Sequence, residues 1–375
     1  MKRLFKLVLS LALVFTTVLG GCSCATPVPL AFKPHFNGGQ KFDGFSSETL
    51  TYNISYVNGS EEYSLLKKNS ALDNLISDFN VENGSFVTKL SIDFQENDQI
   101  KKSGLYGENG LVKPNSPYFL QKTTMQYTGK LVLKNGVEHS FTDKIETTVY
   151  FLQESSFAPL YASQVSEMSL ISTGDNNVSV SSVKYVYETI YGDSEYTVNS
   201  KLYSKGVVTY NLSNNEKAEK FNNDYQLTSE NNESFEYNLK TVVDNTQLLF
   251  ILRNLETTQD KTSTLPVIAP AYKEAQSLAI MQMNTASPKL NFEYNGNTAK
   301  ENETIPVKKL AFALNDAFTS GQSQYLVYQT GKSSAETPTV ENRALLIEYA
   351  FPLPVYGSMT ILGGLKCTLK SVAFN

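Results

Sequence analysis

The sequence contains few of the side chains that most enzymes use for catalysis. Two histidines (His35 and His139) and three cysteines occur among 375 residues, and tryptophan is absent. No cysteine or histidine pair has the spacing of a zinc site, and no serine lies in a nucleophile-elbow motif. We therefore expect no catalytic residue, no metal site and no cofactor, and we interpret the chain as a non-enzymatic protein.

Positive charge is also scarce. Asp and Glu total 37 against 32 for Lys and Arg, so the formal net charge is −5. Three of the basic residues, Lys2, Arg3 and Lys6, lie at the N-terminus, and without them the charge is −8. An acidic chain does not bind nucleic acid through bulk charge, nor anionic lipid through a polybasic patch. We expect neither kind of partner.

The longest apolar run, Leu7 to Leu19, follows those basic residues directly. It is shorter than the roughly 20 residues that a membrane-spanning helix needs. A charged start, a short apolar core and small residues after it are typical of an export signal.

The apolar run ends in Leu19-Gly20-Gly21-Cys22, which resembles the lipobox of bacterial lipoproteins. In that family a diacylglyceryl group is attached to the cysteine sulfur, and the chain is cut before the cysteine. The resemblance implies that residues 1–21 are a signal peptide and that Cys22 carries a lipid. The protein would then be exported and held by its lipid at the outer face of a bacterial membrane. The alternative is ordinary signal cleavage at Ser23-Cys24-Ala25, which would release a soluble protein.

Two further cysteines, Cys24 and Cys367, remain after the lipobox is assigned. In an exported chain they could form a disulfide that ties the N-terminal segment to the last strand. The sequence does not tell whether they approach each other, and two unpaired thiols are the preferred interpretation.

The mature chain divides into a short tether and a long domain. Residues 22–47 are rich in proline and glycine without periodicity, which predicts an extended tether. Residues 48–375 are interpreted as a β-rich domain, and a subdivision near residue 243 is left open.

Apolar and polar residues alternate in many segments of this domain, beginning with Leu50, Tyr52, Ile54 and Tyr56. Alternation indicates strands with one buried and one wet face, as in antiparallel sheets. Asn135-Gly136 is typical of a two-residue hairpin turn. A flat sheet of so many strands is rare. We therefore predict a mainly β fold with a large curled antiparallel sheet (a half-barrel or two sheets) and one or two short helices.

A helix is predicted at residues 246–256. Asp244-Asn245-Thr246 offers an N-cap, and apolar residues follow at helical spacing: Leu248, Ile251, Leu252 and Leu255. Phe250 projects from the opposite side of this helix. Because a surface helix rarely exposes phenylalanine there, a second layer of protein, a partner or a ligand should cover it.

The combination of a lipid anchor, a curled sheet and one apolar helix resembles the open β-barrel envelope lipoproteins related to the carriers LolA and LolB. The resemblance implies a half-barrel whose concave face binds acyl chains or another hydrophobic ligand. Leu249, Phe250, Tyr185 and Tyr187 are the candidate ligand-binding residues, although a tyrosine stripe on one strand face is more often core packing. The alternative is a structural or interaction lipoprotein that has a packed interior and contacts wall polymer or another protein.

Substitution of the lipobox cysteine tests the anchor. Cys22→Ser should accumulate as unprocessed precursor, because no thiol is available for the thioether that precedes cleavage, whereas Cys24→Ser should mature normally. Metabolic labelling with a radioactive fatty acid and gel mobility measure both. Normal maturation and release of Cys22→Ser would show that cleavage occurs at Ser23-Cys24-Ala25 instead.

Overall fold

A computed structural model describes residues 31–32, 47–153, 157–237, 242–256, 262–269, 275–298, 303–314, 323–330, 344–358 and 360–374. Among these residues, no helix is long and apolar enough to cross a membrane. Cys22 and Cys24 lie outside the described residues, so the lipid anchor stays a prediction.

Strands dominate the described chain, and its helices are short. In chain order the strands are β1 (Ala31–Phe32), β2 (Ser47–Val57), β3 (Ile76–Asp93), β4 (Tyr118–Leu133), β5 (Glu138–Leu152), β6 (Pro159–Thr173), β7 (Asn177–Tyr191), β8 (Glu195–Asn211), β9 (Glu216–Glu236), β10 (Val243–Asp244), β11 (Leu255–Glu256), β12 (Thr262–Ile268), β13 (Gln276–Met283), β14 (Lys289–Leu290), β15 (Glu293–Tyr294), β16 (Asn297–Thr298), β17 (Glu303–Thr304), β18 (Val307–Leu314), β19 (Gln324–Gln329), β20 (Leu346–Pro354) and β21 (Ile361–Phe374). The helices are α1 (Asp98–Lys102), α2 (Leu248–Ile251) and 3-10 segments at Glu61–Leu66, Ser70–Leu72, Asn245–Gln247 and Leu252–Asn254.

In the described part of the chain, one sheet contains 17 strands. Hydrogen-bonded neighbours run β10-β12-β13-β18-β19-β20-β21-β2 and then in sequence order from β2 to β9, and the β15–β16 pair joins β21. Pairing is antiparallel except between β10 and β12 and between β15 and β21. The prediction of a mainly β fold built on a large antiparallel sheet is therefore confirmed. Strands from both sides of residue 243 share this sheet.

The alternation in sequence corresponds to two different faces of the sheet. Along β4 the odd-numbered residues from Phe119 to Leu133 are buried and face the interior. The even-numbered residues from Leu120 onward are less buried and lie on the other face. Met125 lies opposite Phe86 on β3 and Ile145 on β5, so apolar residues of successive strands form rows across the concave face.

The sheet curls until distant strands meet. Phe86 on β3 and Tyr349 on β20 have ring centroids 6.3 Å apart, although β2 and β21 lie between their strands. The segment after β20 reaches β6, where the backbone N–H of Tyr356 donates to the carbonyl of Ile171 at 2.6 Å. The concave face is therefore enclosed on several sides.

The β4–β5 hairpin differs from the predicted two-residue turn. Lys134, Asn135 and Gly136 form a three-residue loop, because Leu133 N–H donates to Val137 O at 2.8 Å and Gly136 N–H donates to Leu133 O at 2.9 Å. Gly136 has a φ of 83°, as expected, whereas Asn135 does not have positive φ. The Asn-Gly pair thus closes a type I turn with a left-handed glycine after it, a different use of the same dipeptide.

The predicted helix is present but ends earlier. Asp244 caps it with a capping box: its carboxylate accepts the backbone N–H of Thr246 at 2.8 Å, and Gln247 Oε1 accepts the N–H of Asp244 at 2.8 Å. Helical structure runs from Asn245 to Asn254. The chain then becomes β11, which pairs with β1 inside the predicted tether, so tertiary pairing replaces the last helical residues.

A buried carboxylate joins three neighbouring strands of the interior. Asp143 on β5 accepts the hydroxyl of Tyr127 (β4) and the backbone N–H of Ser169 (β6), both at 2.8 Å. Burial raises the pKa of Asp143 to about 7, and the hydrogen bonds from Tyr127 and Ser169 oppose the shift in part.

This shift predicts how stability changes with pH. An unfolded aspartate has a pKa near 3.9, so the folded chain binds more protons between about pH 4 and pH 7. The stabilising contribution is complete below about pH 4 and is lost as the pH rises through about 7. Asp143→Asn should remove this dependence and raise the free energy of unfolding at pH 8, relative to wild type, by on the order of 1–3 kcal/mol. Urea unfolding at pH 4.5, 6 and 8 measures it. A wild-type advantage that grows with pH would contradict the shift.

Candidate functional site

The helical segment at Asn245–Asn254 lies inside the curled sheet and is fixed at both ends. At its start the Tyr191 hydroxyl donates to the Asp244 carboxylate. Burial raises the pKa of Asp244, while the hydrogen bonds from Tyr191 and Thr246 oppose the shift. At its end Arg253 forms a buried ion pair with Glu48 on β2, with 2.9 Å between Nη1 and Oε1. The segment therefore crosses the interior from β7 to β2.

Two amide side chains also attach this segment to the sheet. Gln121 Nε2 on β4 donates to the carbonyl of Thr246 at 3.2 Å, and Gln247 Nε2 donates to the carbonyl of Phe157 at 2.9 Å. Both glutamine side chains and both carbonyl groups are buried. Each hydrogen bond therefore satisfies polar atoms that would otherwise lower the stability of the fold.

Phe250 lies in an aromatic cluster. Its ring centroid is 5.3 Å from that of Phe119, 5.1 Å from Phe151 and 5.3 Å from Phe157. It is 3% exposed. Of the three possible covers predicted for Phe250, the structure has a second layer of protein. Strands β4 and β5 supply aromatic rings on that side, so Phe250 is not in the described lining of the main cavity but borders a smaller one beside it. Its role as a ligand-binding residue stays a prediction.

Leu249, the residue before Phe250, faces a cavity between the helical segment and the sheet. The cavity has about 710 Å³ of empty space, counting its solvent-filled mouth. Its described lining combines the helical segment with strands β3 to β6 and β18 to β20: Phe86, Thr123, Met125, Ile145, Thr147, Gln164, Asn245, Thr246, Leu248, Leu249, Phe312, Gln324, Tyr349 and Phe351. Small-molecule sites are typically mostly apolar concavities with a few polar groups.

The polar groups of this cavity are hydroxyls and primary amides. Thr123 and Thr147 form a cross-strand hydroxyl pair. The hydroxyl of Tyr187 lies 3.4 Å from both Gln164 Oε1 and Asn245 Oδ1 and can donate its one proton to either. Thr123, Thr147, Gln164 and Tyr187 are cross-strand neighbours on β4 to β7, so they form one polar strip that ends at Asn245.

The predicted tyrosines lie behind the wall rather than in it. Tyr187 supports Gln164 and Asn245, as described. Tyr185 packs 5.6 Å from Tyr187, centroid to centroid, in a small cluster with Leu170, Val183 and Leu202. Neither belongs to the described lining of the main cavity. Tyr185 is thus packed in the core, as is usual for a row of tyrosines on one strand face. Tyr187 contacts two residues that line the cavity.

Most lining residues were missed at the sequence level. Phe86, Phe312, Tyr349 and Phe351 are apolar residues of ordinary alternating strands, and nothing local distinguishes them. Gln164 carried a usable signal, because it is a polar residue at an inward position of β6, where alternation predicts an apolar one. Thr123 and Thr147 carry the same signal on β4 and β5.

The remaining candidates for chemistry do not gather at this cavity. Cys367 is a buried free thiol on β21, and burial raises its pKa. His139 is half-buried on β5, with Nδ1 2.7 Å from the hydroxyl of Tyr210. Burial lowers the pKa of His139. Over the residues that the structure describes, no group of three or more His, Cys, Asp or Glu side chains could hold a metal ion.

Truncation distinguishes the two neighbouring helix residues. Phe250→Ala should lower the free energy of unfolding by about 3–5 kcal/mol, because it empties the aromatic cluster. Leu249→Ala should cost less, since Leu249 is half-buried and already borders empty space. Chemical denaturation of both variants measures the difference. Equal losses would mean that Leu249 is packed as tightly as Phe250.

No family model matches the chain, and no curated protein matches it. Among solved structures, the chain is similar to the crystal structure of a beta-barrel-like protein of a domain of unknown function, DUF1849, from Brucella abortus. The two are 7% identical over 88% of this chain and 98% of that chain, with a TM-score of 0.39.

Proposed function

We propose that this protein is a lipid-anchored, non-enzymatic protein that binds a small hydrophobic ligand inside its curled sheet, outside a bacterial membrane. The observation that supports this function is the cavity beside Leu249. Strands β3 to β6 and β18 to β20 surround it, and most of its lining side chains are apolar.

The composition of the lining supports binding of an apolar chain. Phe86, Met125, Ile145 and Phe312 offer apolar surface, and each methylene that a ligand buries there contributes about 0.8 kcal/mol. The helical segment that forms one side is tied to the sheet by Tyr191, Gln121 and the Arg253–Glu48 pair. The wall therefore exists before the ligand arrives, which reduces the entropy lost on binding.

The lipid on Cys22 completes the proposal. A single saturated chain gives only marginal attachment, and a diacylglyceryl group supplies two chains, which makes anchoring stable. The tether at residues 22–47 would then carry the sheet close to the source of hydrophobic ligands.

A structural or interaction lipoprotein is the second candidate, and one surface favours it. Strand β9 is exposed along most of its length, and its described pairing is with β8 alone. It carries two exposed apolar side chains, Phe221 (48% exposed) and Leu227 (51% exposed). An exposed strand edge can pair with another chain.

The two candidates differ in what the interior contains. Mature protein prepared without detergent is extracted with organic solvent and the extract is analysed by mass spectrometry. A stoichiometric hydrophobic molecule supports ligand binding. An empty extract, together with no uptake of an apolar fluorescent probe, would leave the interaction role of β9.

Filling the cavity tests the site directly. Leu249→Trp should reduce the affinity for the fluorescent probe N-phenyl-1-naphthylamine at least tenfold, or about 1.4 kcal/mol, because the indole occupies the space beside Met125 and Phe312. Gln126→Trp is the matched control, since Gln126 lies on the exposed outer face of β4. Fluorescence titration measures both. Equal affinities in the two variants would exclude the cavity as the binding site.

A further inference from the structure

The described lining of the cavity is electrically neutral. In the part of the chain that the structure describes, its lining consists of apolar, hydroxyl and amide side chains, and no charged side chain contributes to it. An anionic or cationic head group placed there would lose its hydration without gaining an opposite charge, which is strongly unfavourable.

The charges closest to the cavity do not offer a site for an anion. Arg253 is paired with Glu48, and both border a smaller cavity that shares Leu249 with the main one. Asp244 precedes the lining residues Asn245 and Thr246, and it accepts hydrogen bonds from Tyr191 and Thr246. An anionic head group beside Asn245 would thus lie near the carboxyl group of Asp244. The nearby cation, Arg253, is already paired with Glu48.

Two of the lining amides have donor capacity that the described chain does not use. Gln324 Oε1 accepts from the hydroxyl of Tyr349 at 2.6 Å, and Asn245 Oδ1 can accept from that of Tyr187. Among the described residues, neither Asn245 Nδ2 nor Gln324 Nε2 donates a hydrogen bond. Each primary amide carries two N–H donors, which suit an uncharged hydroxyl or carbonyl oxygen.

We infer that the ligand is an uncharged amphiphile: an apolar chain or ring system that ends in a neutral hydroxyl or carbonyl oxygen, held by the amides of Asn245 and Gln324. This inference rests on the proposed function, and it names the class of molecule that the same cavity prefers. It separates neutral lipids and alcohols from free fatty acids, phospholipid head groups and cationic amphiphiles.

Ligands of equal chain length test the inference. N-phenyl-1-naphthylamine bound to the mature chain (residues 22–375, made without its lipid) is displaced at pH 8 by 1-decanol, decanoate or decyltrimethylammonium. The dissociation constant for 1-decanol should be at least tenfold lower than for either ion. Equal or tighter binding of decanoate or of the cation would overturn the inference and leave the proposed function intact. Absence of probe binding would instead contradict the proposed function itself.

A charge introduced at the mouth provides the second measurement. Leu249→Lys places an ammonium group beside the cavity at a half-buried position. It should raise the affinity for decanoate relative to 1-decanol at least tenfold. Leu249→Gln, which adds polarity without charge, should keep the preference for 1-decanol. If the lysine variant has the same preference as the glutamine variant, the neutrality of the lining does not select the ligand, and the inference fails.

Discussion

The structure depends on the placement of one short helical segment inside a curled sheet. A helix of this length is marginal alone, so its stability comes from tertiary contacts. The capping box at Asp244 starts it, the Tyr191 hydroxyl holds that cap, and the Arg253–Glu48 pair secures its other end. The sheet can curl because this segment and the aromatic cluster at Phe250 fill part of its concave face.

This arrangement buries polar groups, and the two buried aspartates each accept hydrogen bonds from neighbouring residues. Asp143 and Asp244 both have raised pKa values because burial disfavours their charged forms, and hydrogen bonds limit the shift in each case. Asp143 joins β4, β5 and β6, and Asp244 joins the helical segment to β7. Apolar packing alone would not fix these elements in register. The same principle leaves amides and hydroxyls, rather than charges, at the wall of the cavity.

On the outer face of the sheet, aromatic rings surround a buried charge. The 3-10 segment at Glu61–Leu66 covers part of it, and Lys309 lies between two tyrosines with Nζ 4.1 Å from the ring centroid of Tyr63 and 5.0 Å from that of Tyr325. Burial lowers the pKa of Lys309. Cation–π contacts there compensate for lost hydration. At the other edge of the sheet, β9 is exposed along most of its length in the described chain, and its many charged residues disfavour pairing with a further strand.

Local physical chemistry determined much of this protein in advance. Alternation defined strands and their faces, Asp244 marked the helix start, and Gly136 required a positive φ, because each depends on residues a few positions apart. The sequence alone did not reveal what covers Phe250, nor that Leu249, of the four predicted ligand-binding residues, would border the main cavity. A helical wheel identifies a side of a helix but not the layer against it. The cavity joins Phe86, Gln164 and Gln324 from strands far apart in sequence. Their meeting depends on how far the sheet curls, and that curl is decided by packing against the helical segment, which only the tertiary structure contains.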